Sequence, residues 1–133
     1  MKHVGTVLIA VLMLATSGSF ARAEVKIGEA APDFSLTDTK GAQVSLSQHK
    51  GKFVVLEWFN HDCPFVKKHY GSGNMQNLQK EYTAKDVVWL SINSSAEGKE
   101  GHYSAEQTNQ MAAERNAAST ALLLDSSGEV GHL

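Results

Sequence analysis

Apolar and polar residues change rhythm several times along the chain, and each rhythm predicts an element. The stretch "APDFSLTDTKGAQVSL" alternates over two short runs, residues 34–37 and 43–46, around a turn at residues 38–41. Period-two alternation on either side of a glycine-containing turn predicts a β-hairpin. The run "KFVVLEWFN", residues 52–60, is nearly continuous apolar and rich in β-branched and aromatic residues. Such a run predicts a parallel strand covered on both faces, here the central strand of a sheet. After Cys63 and Pro64 the mixture holding Phe65, Val66, Tyr70, Met75, Leu78 and Tyr82 predicts a helix, and "GSGN", residues 71–74, breaks it into two pieces.

The pattern continues with "DVVWLSIN", residues 86–93, as a second buried strand and "SAEQTNQMAAERN", residues 104–116, as a helix. Ser104 is its expected N-cap, with Gln107 three residues on to complete a capping box. "ALLLD", residues 121–125, predicts a third strand ended by the turn "SSG". Strands alternating with helices define an α/β fold, with a mostly parallel sheet, right-handed crossovers and a hairpin at its start. The final "GEVGHL" carries no further helix or strand pattern, so the domain is expected to be incomplete, with a sheet edge left to be covered.

The first residues follow another logic. Lys2 and His3 precede an apolar run over residues 4–15, and "ARA" stands before Glu24. This is the order of a secretory signal, residues 1–23, because the run is too short to span a bilayer. The expected product is one domain of modest size over residues 24–133, exported to a periplasm or secreted, with no stable membrane anchor. Without Lys2 and Arg22, the 12 basic side chains fall to 10 against 14 acidic ones. A mildly acidic surface argues against nucleic acid as a partner.

Composition then singles out one atom, because Cys63 is the only cysteine. A lone cysteine cannot staple an exported domain internally, so it needs another purpose. In α/β sheets reactive groups gather where a strand turns into the next helix, and Cys63 falls there. Pro64 suits the first helical position, which places Cys63 at the N-cap, beside free backbone N–H groups and the positive end of the helix dipole. Such a setting favours thiolate over thiol. Lys67 and Lys68 push the same way, Asp62 pushes against it, and His61 either exchanges a proton or stands solvated in the loop. The opposing reading makes Cys63 a small buried hydrophobe.

Glu57 is the sole charge inside its otherwise apolar strand, six residues before Cys63 and so beneath rather than beside it. A desolvated carboxylate there would serve as a proton acceptor, unless it faces solvent. His61, Cys63 and His69 form a mixed nitrogen and sulfur set suited to copper or zinc, though at a spacing that matches no strong ligand pattern. No cofactor is expected.

The stretch "GEAAPDFSLTDTKGAQVSLSQHKGKFVVLEWFNHDCPFVKKH" resembles the thioredoxin-fold redoxins, the alkyl hydroperoxide reductase/thiol-specific antioxidant group and its exported thioredoxin-like relatives. The resemblance extends through "VVWLSIN" and "LLLDSSGEV". It implies a thioredoxin-like fold and a thiol-based oxidoreductase or antioxidant, with Cys63 attacking and Glu57 matching a buried acid on the preceding strand. His61 and Lys67 are then modest electrostatic helpers. Val66 stands where dithiol members place the resolving cysteine, so the partner is an external thiol or a protein disulfide. Asn60 stands where peroxide-reducing members place a threonine, Arg115 is the one arginine after the leader, and no proline matches the cis-proline facing the thiol. The competing reading is a non-catalytic binding module or a copper or zinc carrier.

Overall fold

The computed structural model describes residues 25–133, so the predicted leader lies outside the described residues. β1 (Ser35–Asp38) and β2 (Gln43–Ser45) form the expected hairpin, with Leu36 opposite Val44. Asp38 sets the turn, its Oδ1 accepting from the Lys40 and Ala42 backbone N–H groups at 2.8 Å each. An aspartate that bonds the backbone ahead of it is a local device for reversing a chain.

β3 (Val54–Trp58), β4 (Val88–Asn93) and β5 (Ala121–Leu124) run parallel, and β1 joins β5 antiparallel. The sheet order is β2-β1-β5-β4-β3, a mixed sheet built from a parallel trio and the hairpin. This order corrects one expectation. β3 pairs only with β4 among the described residues and so lies at an edge, while all six residues of β4 are buried. The apolar run of β3 misled because both of its faces are partly covered; residues 54–57 are half-buried and Trp58 is 48 % exposed. Periodicity reports which faces are covered and says nothing about lateral neighbours.

Register sorts the side chains. Leu56, Leu90 and Ala121 align across the three parallel strands and share one face with Val88, Ile92 and Leu123. That face is the apolar core, completed by Phe34, Leu36 and Val130. Val130 belongs to a short 3-10 turn, Val130–His132, held by Asp125, whose carboxylate accepts from the Val130 and Gly131 N–H groups at 3.3 and 3.0 Å. The last residues therefore close onto the core, where the sequence showed no element.

The opposite face carries Glu57, Trp89 and Ser91, under α1 (Pro64–Gly71) and α2 (Asn74–Thr83). The expected break between these helices falls at Gly73, whose φ of +76° a glycine adopts without strain. α3 (Ala105–Glu114) begins at Ser104 with the predicted capping box. Its end meets α2, since the Arg115 carbonyl accepts from Gln76 at 2.6 Å and the Ala118 N–H donates to Gln79 at 2.7 Å.

Candidate active site

Cys63 is the N-cap of α1, and Pro64 follows in the first turn. Its carbonyl accepts from the Lys67 N–H at 2.9 Å, and its own N–H donates to the Asn60 carbonyl at 3.1 Å. The cysteine is partly exposed and its side chain makes no capping hydrogen bond. It is therefore not the sealed core cysteine of the opposing reading. Val66 lies one turn on, partly buried.

Three anchors hold the turn before Cys63. Asn60 accepts from the Asp62 N–H at 2.7 Å and donates to the Glu100 carbonyl and the Ser95 hydroxyl at 3.2 and 3.4 Å. Asp62 accepts from the Tyr103 hydroxyl at 2.6 Å, and that bond, ahead of Lys67, holds its carboxyl below the usual range. Arg115 donates to the His61 carbonyl at 2.9 Å.

These contacts revise the helper roles. His61 is only 3 % exposed, packed edge-on against Phe59 with ring centres 4.9 Å apart, so it is no solvated loop residue. Burial first, then the Arg115 charge, pull its pKa down to about 4. At neutral pH the imidazole is uncharged, and it gives Cys63 no positive charge. Lys67 is exposed and its ammonium stands 3.5 Å from Asp62, which offsets its charge. His69 lies on the exposed side of α1, with Nδ1 3.4 Å from the Asn74 amide. Among the described residues no three His, Cys, Asp or Glu side chains gather into a metal-holding group, so His61, Cys63 and His69 do not form the carrier site considered from sequence.

Glu57 does not face open solvent either. Its Oε1 accepts from the Tyr70 hydroxyl at 2.9 Å, and its Oε2 from Trp89, Ser91 and Gln79 at 2.7, 3.0 and 3.0 Å. Burial, then the Glu57 charge, push the Tyr70 phenol well up, so it remains a donor. Tyr70 and Gln79 sit on the helices after Cys63, so this carboxylate ties those helices to the sheet. Sequence reasoning missed Tyr70, Gln79, Tyr103 and the placement of Arg115. The alternation that puts Trp89 and Ser91 on the Glu57 side was readable only with the strand pairing in hand.

A parallel β3-β4-β5 trio, a hairpin edge and a cysteine opening the helix after β3 define a thioredoxin-like protein. A solved structure of a conserved protein from Geobacillus kaustophilus overlays with a TM-score of 0.68 at 29 % identity, covering 78 % of this chain and 55 % of that one. The sequence profile of the AhpC/TSA family matches residues 27–133, and the chain belongs to that family. The thioredoxin-like protein YneN of Bacillus subtilis is 37 % identical over 84 residues, 62 % of this chain and 48 % of that protein. The thiol-disulfide oxidoreductase ResA of the same organism is 35 % identical over 66 residues, 50 % and 36 % respectively. The chain thus spans about half or less of the length of these relatives.

Proposed function

We propose that the protein is an exported thiol-based oxidoreductase in which Cys63 is the one attacking sulfur that this chain supplies. The single observation that carries this reading is the partly exposed cysteine at the N-cap of α1, in a chain of the AhpC/TSA family. Kinship with a thiol-disulfide oxidoreductase and the apolar leader-like run over residues 4–15 support the reaction class and the export.

With Val66 in place of a second thiol, each half of the cycle uses an outside sulfur. The Cys63 thiolate attacks one sulfur of a disulfide, forming a mixed disulfide and releasing the other sulfur as thiolate. An external thiol then attacks that mixed disulfide, freeing Cys63 and leaving the substrate sulfur joined to the external one. With a peroxide, Cys63 takes one oxygen to become a sulfenic acid and the alkoxide or hydroxide leaves; a thiol then condenses with loss of water, and a second thiol releases Cys63.

Glu57 acts in this account as an anchor for α1 and α2. Four donors hold the carboxylate as an anion, three on Oε2 and one on Oε1, and all four favour its charged form, so the geometry suits an anchor better than a proton acceptor. His61 and Lys67 position the Cys63 turn, one by packing and one through Asp62.

The test is incubation with glutathione disulfide, and separately with hydrogen peroxide plus a sulfenic-acid trap, read by intact mass. One thiol-reversible glutathione adduct or one trapped sulfenic acid, absent in Cys63→Ser, is expected. No adduct from either oxidant in the folded protein would remove the reading and leave a binding module.

A further inference from the structure

Between α1 and the end of α3 lies a cleft of about 270 Å³, walled by Lys67, Tyr70, Gln76, Glu114, Arg115 and Asn116. Arg115 is unusually placed in it. Its Nη2 donates to the His61 carbonyl and its guanidinium lies 6.0 Å from the Tyr70 ring centre. No carboxylate of the described residues stands within ion-pair distance, and Nη1 is shielded from water with no acceptor.

Gln76 shows the converse. Its Nε2 donates to the Tyr70 and Arg115 carbonyls at 2.8 and 2.6 Å, and its buried Oε1 has no donor. Unmet donors and acceptors in a low-dielectric wall are costly, and native proteins usually satisfy them with a partner. Just behind one wall of the cleft, shielded from water, there are therefore a cation in need of an acceptor and an acceptor in need of an N–H. Lys67 also lines the cleft, its charge offset by Asp62, and Glu114, whose carboxylate among the described residues is bonded only to Gln110 at 3.0 Å, adds a negative charge. The charge pattern is matched by a molecule carrying both signs.

We propose that this cleft binds a zwitterionic small molecule of the amino-acid type, its carboxylate toward Arg115 and its N–H groups toward Gln76 and Glu114. Neither Nη1 nor Oε1 is exposed to water, so binding turns both side chains toward the ligand. The volume lies just below the range of about 300–1,000 Å³ common for ligand pockets, which suits a molecule of amino-acid size rather than a nucleotide. The site flanks the helix that Cys63 begins, and Arg115 also holds the turn before it. A ligand of this class that carried a thiol would be the outside reductant of the proposed cycle, a consequence that rests on that cycle while the binding itself does not.

The experiment titrates S-methylcysteine, a zwitterion with no reactive thiol, into the Cys63→Ser protein and follows the side-chain N–H signals of Arg115 and Gln76 by nuclear magnetic resonance. Saturable shifts at both are expected, weakened about tenfold in Arg115→Ala and several-fold in Glu114→Gln, as for loss of one partner of a charge pair. Arg115→Ala can also loosen the turn, so Gln76→Leu, which keeps every charge, is expected to weaken binding as well. Unsaturable shifts, or acetate binding as tightly as the zwitterion with no effect of Glu114→Gln, would overturn the proposal. Because the protein lacks its thiol in this experiment, the outcome is independent of whether Cys63 is redox-active.

Discussion

Four hydrogen bonds converge on Glu57, and their loss should be visible in stability. In Glu57→Ala the donors of Tyr70, Gln79, Trp89 and Ser91 lose their common acceptor under two helices. Buried donors without an acceptor cost about 1–3 kcal/mol, so a loss of about 2–4 kcal/mol is expected in urea unfolding once partial solvation is allowed for. His61 supplies a second test at this scale. Its folded pKa of about 4 lies below the ordinary 6.5, so the unfolded chain takes up the proton first as pH falls. The stability gained by keeping the ring neutral is fully present above about 6.5 and is lost progressively toward 4. Comparing the urea midpoints of wild type and His61→Leu from pH 7 to pH 4 should show about 2–3 kcal/mol more loss in wild type. Equal slopes would mean that the ring is not buried neutral.

At the scale of elements, the loop before α3 sets the shape of the Cys63 turn. Gly101 has a φ of +82°, and a Cβ there would overlap the Asn60 side chain, which is itself held by Ser95 and Glu100. Gly101→Ala should therefore destabilise the fold by about 1–3 kcal/mol and raise hydrogen exchange in residues 60–63, whereas a change confined to the 95–103 loop would contradict the coupling. Ser104→Ala removes the α3 cap and should cost about 1 kcal/mol in the same unfolding assay, without that exchange signature. The hairpin, the broken helix and the capped helix were legible because local chemistry decides them: Asp38, Gly73 and Ser104 act on their own neighbours. The edge position of β3 and the burial of His61 were not legible, since lateral strand order and the reach of Arg115 across 54 residues are decided by tertiary packing.

On the scale of the whole molecule, the described fold leaves the outer edge of β3 without a strand, close to Phe53 at 84 % and Trp58 at 48 % exposure. An apolar, unpaired edge invites pairing with another chain. Sedimentation should show concentration-dependent association that Phe53→Lys reduces; a monomer at all concentrations would mean that the edge is protected. The place of Cys63 at the start of α1 was legible from sequence because a single cysteine, a following proline and a preceding strand are all local features. The anchors around it were not, since they arrive from α2, β4, the 95–103 loop and the end of α3. The central claim, that Cys63 is a working thiol held open at the start of α1, is tested most directly by the rate at which it reacts with a small aromatic disulfide in native and urea-unfolded protein. The account predicts native reaction at least as fast as in the unfolded chain; native reaction about tenfold or more slower, with labelling gained only on unfolding, would contradict it.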